Sequence, residues 1–234
     1  MKKRSWTIHF LCTALLLFGT SLWSGTNPAA QAQHVFTVTS TADGGDADTS
    51  DDVCATSGGE CTFLAALEQA NATANVDAST PDRIEFSIGG TAPHQVATTY
   101  FPYITDPVVI DGTTEPDYSG TPVIELQDML TVTGGNSTIQ GLVVSGITLS
   151  DAGGNTVRAC FVGLKADGTS TGNSVAGITL EQVSNNQIGG PDPADRNVIS
   201  GNGGEGIRIE GKYYASDQAA STNTIQNNYI GTTS

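Results

Sequence analysis

From residue 34 onward, apolar and polar positions alternate in short runs. Phe36 and Val38 alternate with Thr37 and Thr39, and Ile84, Phe86 and Ile88 alternate with Arg83, Glu85 and Ser87. A period of two turns one face of an extended segment toward a core and the other toward water. Strands are predicted over 34–40, at 84–88, and again at 108–110, 123–126 and 130–132, with Gly, Pro and Asp punctuating the gaps. A single helical pattern interrupts them near 62–74. Thr62 has the chemistry of an N-cap, and Phe63, Leu67 and Ala70 fall on one helical face beside Leu64.

The second half of the chain repeats. Gly146-Ile-Thr-Leu, Gly177-Ile-Thr-Leu and Gly206-Ile-Arg-Ile are copies of one strand, 31 and 29 residues apart. Nine residues after the first two glycines come Asn155-Thr-Val and Asn186-Gln-Ile; the third copy reaches Asn223-Thr-Ile after an insertion around 212–218. NTVRACFVG from Asn155 aligns without gaps on NTIQNNYIG from Asn223, which sets Cys160 opposite Asn228. Aligned Ile and Asn columns are what a stack of coils requires. Ile147, Leu149, Ile178, Leu180, Ile207 and Ile209 would point inward, and each turn's Asn would bond the Asn of the next. A β-sandwich competes but needs no such columns. The expected fold is therefore all-β, a right-handed parallel β-helix with a short N-terminal capping helix. No capping element follows NTIQNNYIG, so the stack is expected to be incomplete at its C-terminal end. Further turns of a longer protein, or end-to-end packing against another chain, would cover it.

The N-terminus reads as a signal peptide over 1–32. Lys2, Lys3 and Arg4 precede an apolar run from Ile8 to Phe18, and Ala30-Gln31-Ala32 forms an A-x-A cleavage pattern. The run is shorter than the roughly 20 residues a bilayer span takes, so no membrane span is expected after cleavage. Cleavage after Ala32 leaves 202 of the 234 residues, enough for one domain with a real core. It also removes three of the nine basic residues, leaving six against 24 acidic ones, a formal charge of −18. Such a chain repels nucleic acid, which is excluded as a partner. Export places the protein outside the cytoplasm, secreted or at the cell surface, where disulfides persist. Cys54 and Cys61 flank the turn TSGG and are expected to pair, leaving Cys160 over.

The stretch FTVTSTADGGDADTSDDVCATSGGECTFLAALEQANA resembles the CSLREA domain. That module stands at the front of bacterial right-handed β-helix surface proteins with a pectin-lyase-like fold. In the signature hexapeptide, Cys61-Thr-Phe-Leu-Ala-Ala keeps the cysteine and the final alanine, and Glu68-Gln-Ala-Asn-Ala continues into a helix as the family does. DGTTEPDYSGTPVIEL and the Asn-Ile repeats resemble the β-helix portion. The resemblance implies an N-terminal cap region over 33–90 and β-helix turns over 91–234.

Candidate chemistry is sparse. Asp43, Asp46, Asp48, Asp51 and Asp52 offer hard oxygen ligands suited to Ca²⁺, though without the order of an EF-hand loop. Beyond Ca²⁺, no cofactor is implied. His34 and His94 stand isolated and match no metal-ligand spacing. In the stacked repeats Ser150, Glu181 and Glu210 form one outward column, and Thr148, Thr179 and Arg208 another. Glu181, Glu210 and Arg208 are thus the best carboxylate-plus-base group, which a polysaccharide lyase or a glycoside hydrolase of this fold would need. The motif set of polygalacturonases is absent. Three functions stay open: a non-catalytic adhesin or carbohydrate-binding protein, such a lyase or hydrolase, and a structural stalk of a larger surface protein. The partners these imply are a polysaccharide or another cell-surface protein.

Overall fold

The computed structural model describes residues 32–77, 79–97, 100–211 and 219–231. The expected signal segment, except for Ala32, lies outside them. The described residues form one compact unit.

The chain opens with β1 (Val35–Val38), which buries Phe36 and Val38 and turns Val35 and Thr37 outward. Helix α1 (Phe63–Ala72) follows. Thr62 caps it as its chemistry predicts, its hydroxyl accepting the Ala65 amide at 3.1 Å. Thr73, in an extended conformation, ends the helix two residues before the predicted limit of 74. Phe63, Leu67 and Ala70 lie in the core, where the Phe63 ring meets Phe86 and Phe101 at centroid distances of 5.8 and 5.0 Å.

Beyond the helix come β2 (Asp82–Phe86) and β3 (His94–Val96), then β4 (Val108–Asp111), β5 (Ile124–Leu126) and β6 (Leu130–Val132). The next rounds are β7 (Thr138–Gln140), β8 (Leu142–Val144), β9 (Ile147–Leu149) and β10 (Thr156–Arg158), β11 (Phe161–Val162), β12 (Ile178–Glu181). Then follow β13 (Gln187–Gly189), β14 (Val198–Ile199), β15 (Ile207–Glu210), β16 (Thr224–Gln226) and β17 (Tyr229–Ile230). They form three sheets: β1-β2-β4-β7-β10-β13-β16, then β3-β5-β8-β11-β14-β17, and β6-β9-β12-β15. Every pairing between these strands is parallel. From β4 onward the chain visits the first, second and third sheet in rotation. The fold is thus β-rich and parallel, with one α-helix among the described residues.

Register follows the columns seen in the sequence. Ile147, Ile178 and Ile207 are partners, as are Leu149, Leu180 and Ile209. In the first sheet Ile84, Ile110, Ile139, Val157 and Ile188 stack in one column, each at most 1% exposed. Burying each such side chain contributes about 1.5–3 kcal/mol. Ile207 and Ile209 keep the inward register, but burial falls off at this end: Ile207, packed against the core, is half-buried, and Ile209 and Ile225 are 48% and 38% exposed. Among the described residues no strand follows β15 or β16 in its sheet to cover them.

Two polar ladders run beside these columns. The Asn155 side-chain amide donates to Asn186 Oδ1 at 3.0 Å, and that of Asn186 donates to Asn223 Oδ1 at 2.9 Å. The same oxygens accept the backbone amides of Asn155 and Asn186 at 2.9 and 3.0 Å. In the second ladder Asn197 bonds Asn228 at 2.9 Å, and the Cys160 amide donates to Asn197 Oδ1 at 2.9 Å. Cys160 therefore holds an Asn position, as the repeat alignment implies. Directly before the first ladder, Gly154, Asn185 and Thr222 take φ of 81°, 63° and 55°. Left-handed backbone explains the Gly and Asn there.

Candidate functional site

The carboxylate-plus-base group predicted from the repeats lies on the outward face of the third sheet. Glu181 and Glu210 are register partners, as are Thr179 and Arg208. Arg208 pairs with Glu205 at 2.7 Å and Glu210 at 3.6 Å, both within its own turn. Hydrogen bonding and charge from Glu205 push the guanidinium pKa up. A lyase base must give up its proton, so this environment works against that role. All three side chains are exposed.

The acidic run is organised by its own backbone. Asp46 Oδ1 accepts the Asp48 amide at 2.8 Å and Oδ2 accepts the Ala55 amide at 3.0 Å. Asp48 and Asp51 bond the amides two residues on, at 3.1 and 2.9 Å, and Asp52 accepts from the Thr73 hydroxyl at 3.3 Å. The bonds from Asp46, Asp48 and Asp51 to the amide two residues on are Asx turns. Asp43 is exposed. The run supplies no group of three carboxylates close enough to share an ion. Cys54 and Cys61 form a disulfide, with Cα atoms 5.2 Å apart. Cys160 is a free, fully buried thiol whose pKa burial pushes up to about 12. It is no nucleophile, since only the thiolate reacts.

The second sheet carries a feature the sequence did not disclose. Its outward positions stack Gln95, Glu125, Val143, Phe161, Val198 and Tyr229 in register. A hairpin folds over the middle of this stripe. Leu164 and Ser170 form an antiparallel bridge, and Asp167 ties its tip by accepting from the Thr169 amide at 2.8 Å. Those bonds, first the Thr169 hydroxyl and then its amide, hold the Asp167 carboxyl below the usual carboxylate range. Glu125, 7% exposed, anchors the hairpin by accepting the Ala166 amide at 2.8 Å. Beside it opens a cleft of about 290 Å³ lined by Gln95, Glu125, Leu126, Gln127, Val143, Lys165 and Thr171. At the far end of the stripe the Arg196 guanidinium lies 4.2 Å from the Tyr229 ring centroid and donates to its hydroxyl at 2.8 Å. The face therefore offers amide, carboxylate, ammonium and aromatic groups along one line.

His94, read from the sequence as isolated, has company. It opens β3 and turns inward beside Val96, while Gln95 between them turns out. Its Nε2 lies 3.6 Å from Glu115 Oε1 and 3.7 Å from Asp117 Oδ2. Asp111 starts the 3-10 turn Gly112–Thr114 that delivers Glu115, accepting the Thr113 amide at 3.0 Å. Glu115 is 2% exposed, and its Oε2 accepts the Ile88 amide at 2.9 Å. Among the described residues this is the one group of three His, Cys, Asp or Glu side chains whose ligand atoms lie within 4.8 Å of one another. The triad is drawn together by the parallel pairing of β3 with β5 and by a capped turn. Neither leaves a spacing signature. The only trace is an inward-phased histidine in a strand otherwise ending in valine.

Comparisons with family models, curated proteins and solved structures return no match.

Proposed function

We propose that this chain is a secreted or surface-displayed parallel β-helix that binds polysaccharide along the outward face of its second sheet, without catalysis. The observation that carries this reading is the cleft beside the hairpin. Gln95, Gln127, Lys165 and Thr171 line it together with the fixed Glu125 carboxylate. Amides, a carboxylate and an ammonium supply donors and acceptors matched to sugar hydroxyls. The exposed ring of Tyr229 farther along the stripe adds a flat apolar surface with a polar tip.

Winding in one direction is supported by the rotation of the chain through three parallel sheets. The hand is supported by β1-α1-β2, a parallel crossover, since such units are right-handed in about 98% of cases. A disulfide near the N-terminus fits an oxidising compartment, and with it the signal-peptide reading and the CSLREA-like front module. No described helix is long and apolar enough to cross a membrane.

A glycan array probed with the purified protein, with and without Ca²⁺, tests the reading. Binding to one class of polysaccharide is expected, weakened at least about tenfold, or 1.4 kcal/mol, in a Gln95→Ala, Gln127→Ala double variant. Release of unsaturated or reducing ends from a bound glycan would replace the binding reading with the lyase or hydrolase one. No retained glycan would remove it.

A further inference from the structure

We propose that His94, Glu115 and Asp117 form a binding site for one divalent cation of the zinc class. The inference goes beyond the glycan reading, because this site faces inward from β3 while the cleft lies on the outer side.

The orphaned imidazole is the starting point. The His94 side chain is 3% exposed, and its Nε2 is buried with no hydrogen-bond partner. Native proteins seldom leave such an atom unsatisfied. This nitrogen points at two carboxylate oxygens at 3.6 and 3.7 Å, beyond hydrogen-bond reach of either. Ligand atoms around a tetrahedral ion at about 2.0–2.1 Å lie roughly 3.3–3.4 Å apart. The two gaps from His94 need to close by only a few tenths of an ångström, and the two carboxylate oxygens lie within 4.8 Å of each other.

Donor chemistry selects the ion. One imidazole nitrogen with two carboxylate oxygens suits zinc and its first-row neighbours, whereas Ca²⁺ and Mg²⁺ prefer oxygen alone. The two carboxylates neutralise the dication. Glu115 is already oriented, because its second oxygen holds the Ile88 amide at 2.9 Å. The turn is fixed as well, with the Tyr118 amide donating to the Glu115 carbonyl at 2.9 Å. Asp117 is 49% exposed, so it is the ligand at the solvent side and leaves a fourth position for water or an outside donor.

Metal binding to the purified protein decides the matter. After chelator treatment and dialysis at neutral pH, the protein is loaded with Zn²⁺ alone, passed through gel filtration and assayed for bound metal. One retained equivalent is expected, undisturbed by about a hundredfold excess of Ca²⁺ given the donor set. His94→Ala should lose it, Asp117→Asn should bind about tenfold more weakly or worse, and His34→Ala should keep it. Co²⁺ in place of Zn²⁺ should give visible absorption that Asp117→Asn alters. No retained equivalent, displacement by Ca²⁺, loss in His34→Ala, or unchanged binding in His94→Ala or Asp117→Asn would each overturn the proposal. If circular dichroism shows that His94→Ala does not fold, the solvent-side Asp117→Asn variant decides alone.

Discussion

Truncating Asn186 to alanine tests whether the ladders hold the turns in register. Asn186 is 1% exposed. Its Oδ1 accepts the backbone and side-chain amides of Asn155 at 2.9 and 3.0 Å, and its own amide donates to Asn223 at 2.9 Å. After truncation the Asn155 side chain still reaches the Ala152 carbonyl at 3.0 Å, and Asn223 still accepts the Asn186 backbone amide at 3.0 Å. The Asn155 backbone amide is left buried with nothing, which costs about 1–3 kcal/mol. Three further bonds vanish, those from Asn155 to Asn186 and from Asn186 to Asn223 and the Ser184 carbonyl, at about 0.5–1.5 kcal/mol each, for a total of about 2.5–7.5 kcal/mol. That is a large share of a typical stability of roughly 5–15 kcal/mol. Urea unfolding followed by far-ultraviolet circular dichroism measures the change, and amide hydrogen exchange reads Asn155 directly. Early exchange at Asn155 is expected even where Ile84 stays protected, because each strand pairs only with the strands on either side of it in its sheet. A shift below about 1 kcal/mol at unchanged m, with Asn155 still protected, would refute the ladder argument.

Non-reducing peptide mapping should link Cys54 to Cys61, and native Cys160 should resist alkylation well into alkaline pH because burial pushes its pKa up to about 12. Closing a loop with a sequence separation of 7 predicts that Cys54→Ala with Cys61→Ala costs about 2–3 kcal/mol in thermal unfolding. Burial pushes the Asp111 carboxyl up, but hydrogen bonds from Thr113, Gln140 and Arg83 outweigh it and hold the pKa below the ordinary 3.8. Its stabilisation is complete above that value and lost as pH falls through the lower folded one, so the gap between wild type and Asp111→Asn should shrink below about pH 4 in acid titrations. Glu181→Gln with Arg208→Ala should leave glycan binding within a few-fold, read on the same array; abolition of an enzymatic activity by this pair would instead restore the catalytic reading. Gly153→Ala should destabilise by about 1–3 kcal/mol in urea, because a Cβ there would overlap the Ser184 carbonyl oxygen of the next turn.

What could be read from the sequence was whatever repeats. Ile147, Ile178 and Ile207 announce a register because stacked strands reuse one position, and Asn155, Asn186 and Asn223 do the same for the ladder. The helix was visible through its cap and apolar face, and the disulfide through its spacing. Chemistry that occurs once had no such echo. Glu125 gives no sign in the sequence that it will hold a hairpin tip 41 residues later, and nothing in the sequence marks that His94 on β3 will meet Glu115 from the turn after β4. Burial at the last turn was misread for a related reason. Periodicity states which face an Ile takes, while its exposure depends on whether another strand lies above it.

The hairpin also shows how freely this scaffold tolerates insertions. It belongs to the passage from the second sheet to the third, which spans residues 127–129, 145–146, 163–177 and 200–206 in successive rounds. These passages hold 3, 2, 15 and 7 residues, yet the strands they join keep one register throughout. Chain entropy permits this, since each doubling of a flexible loop adds only about 0.6 kcal/mol. Strand pairing fixes the frame and the connecting segment follows. This corner is therefore where foreign peptides could be spliced in for display, and where new specificities could arise by insertion without redrawing the interior.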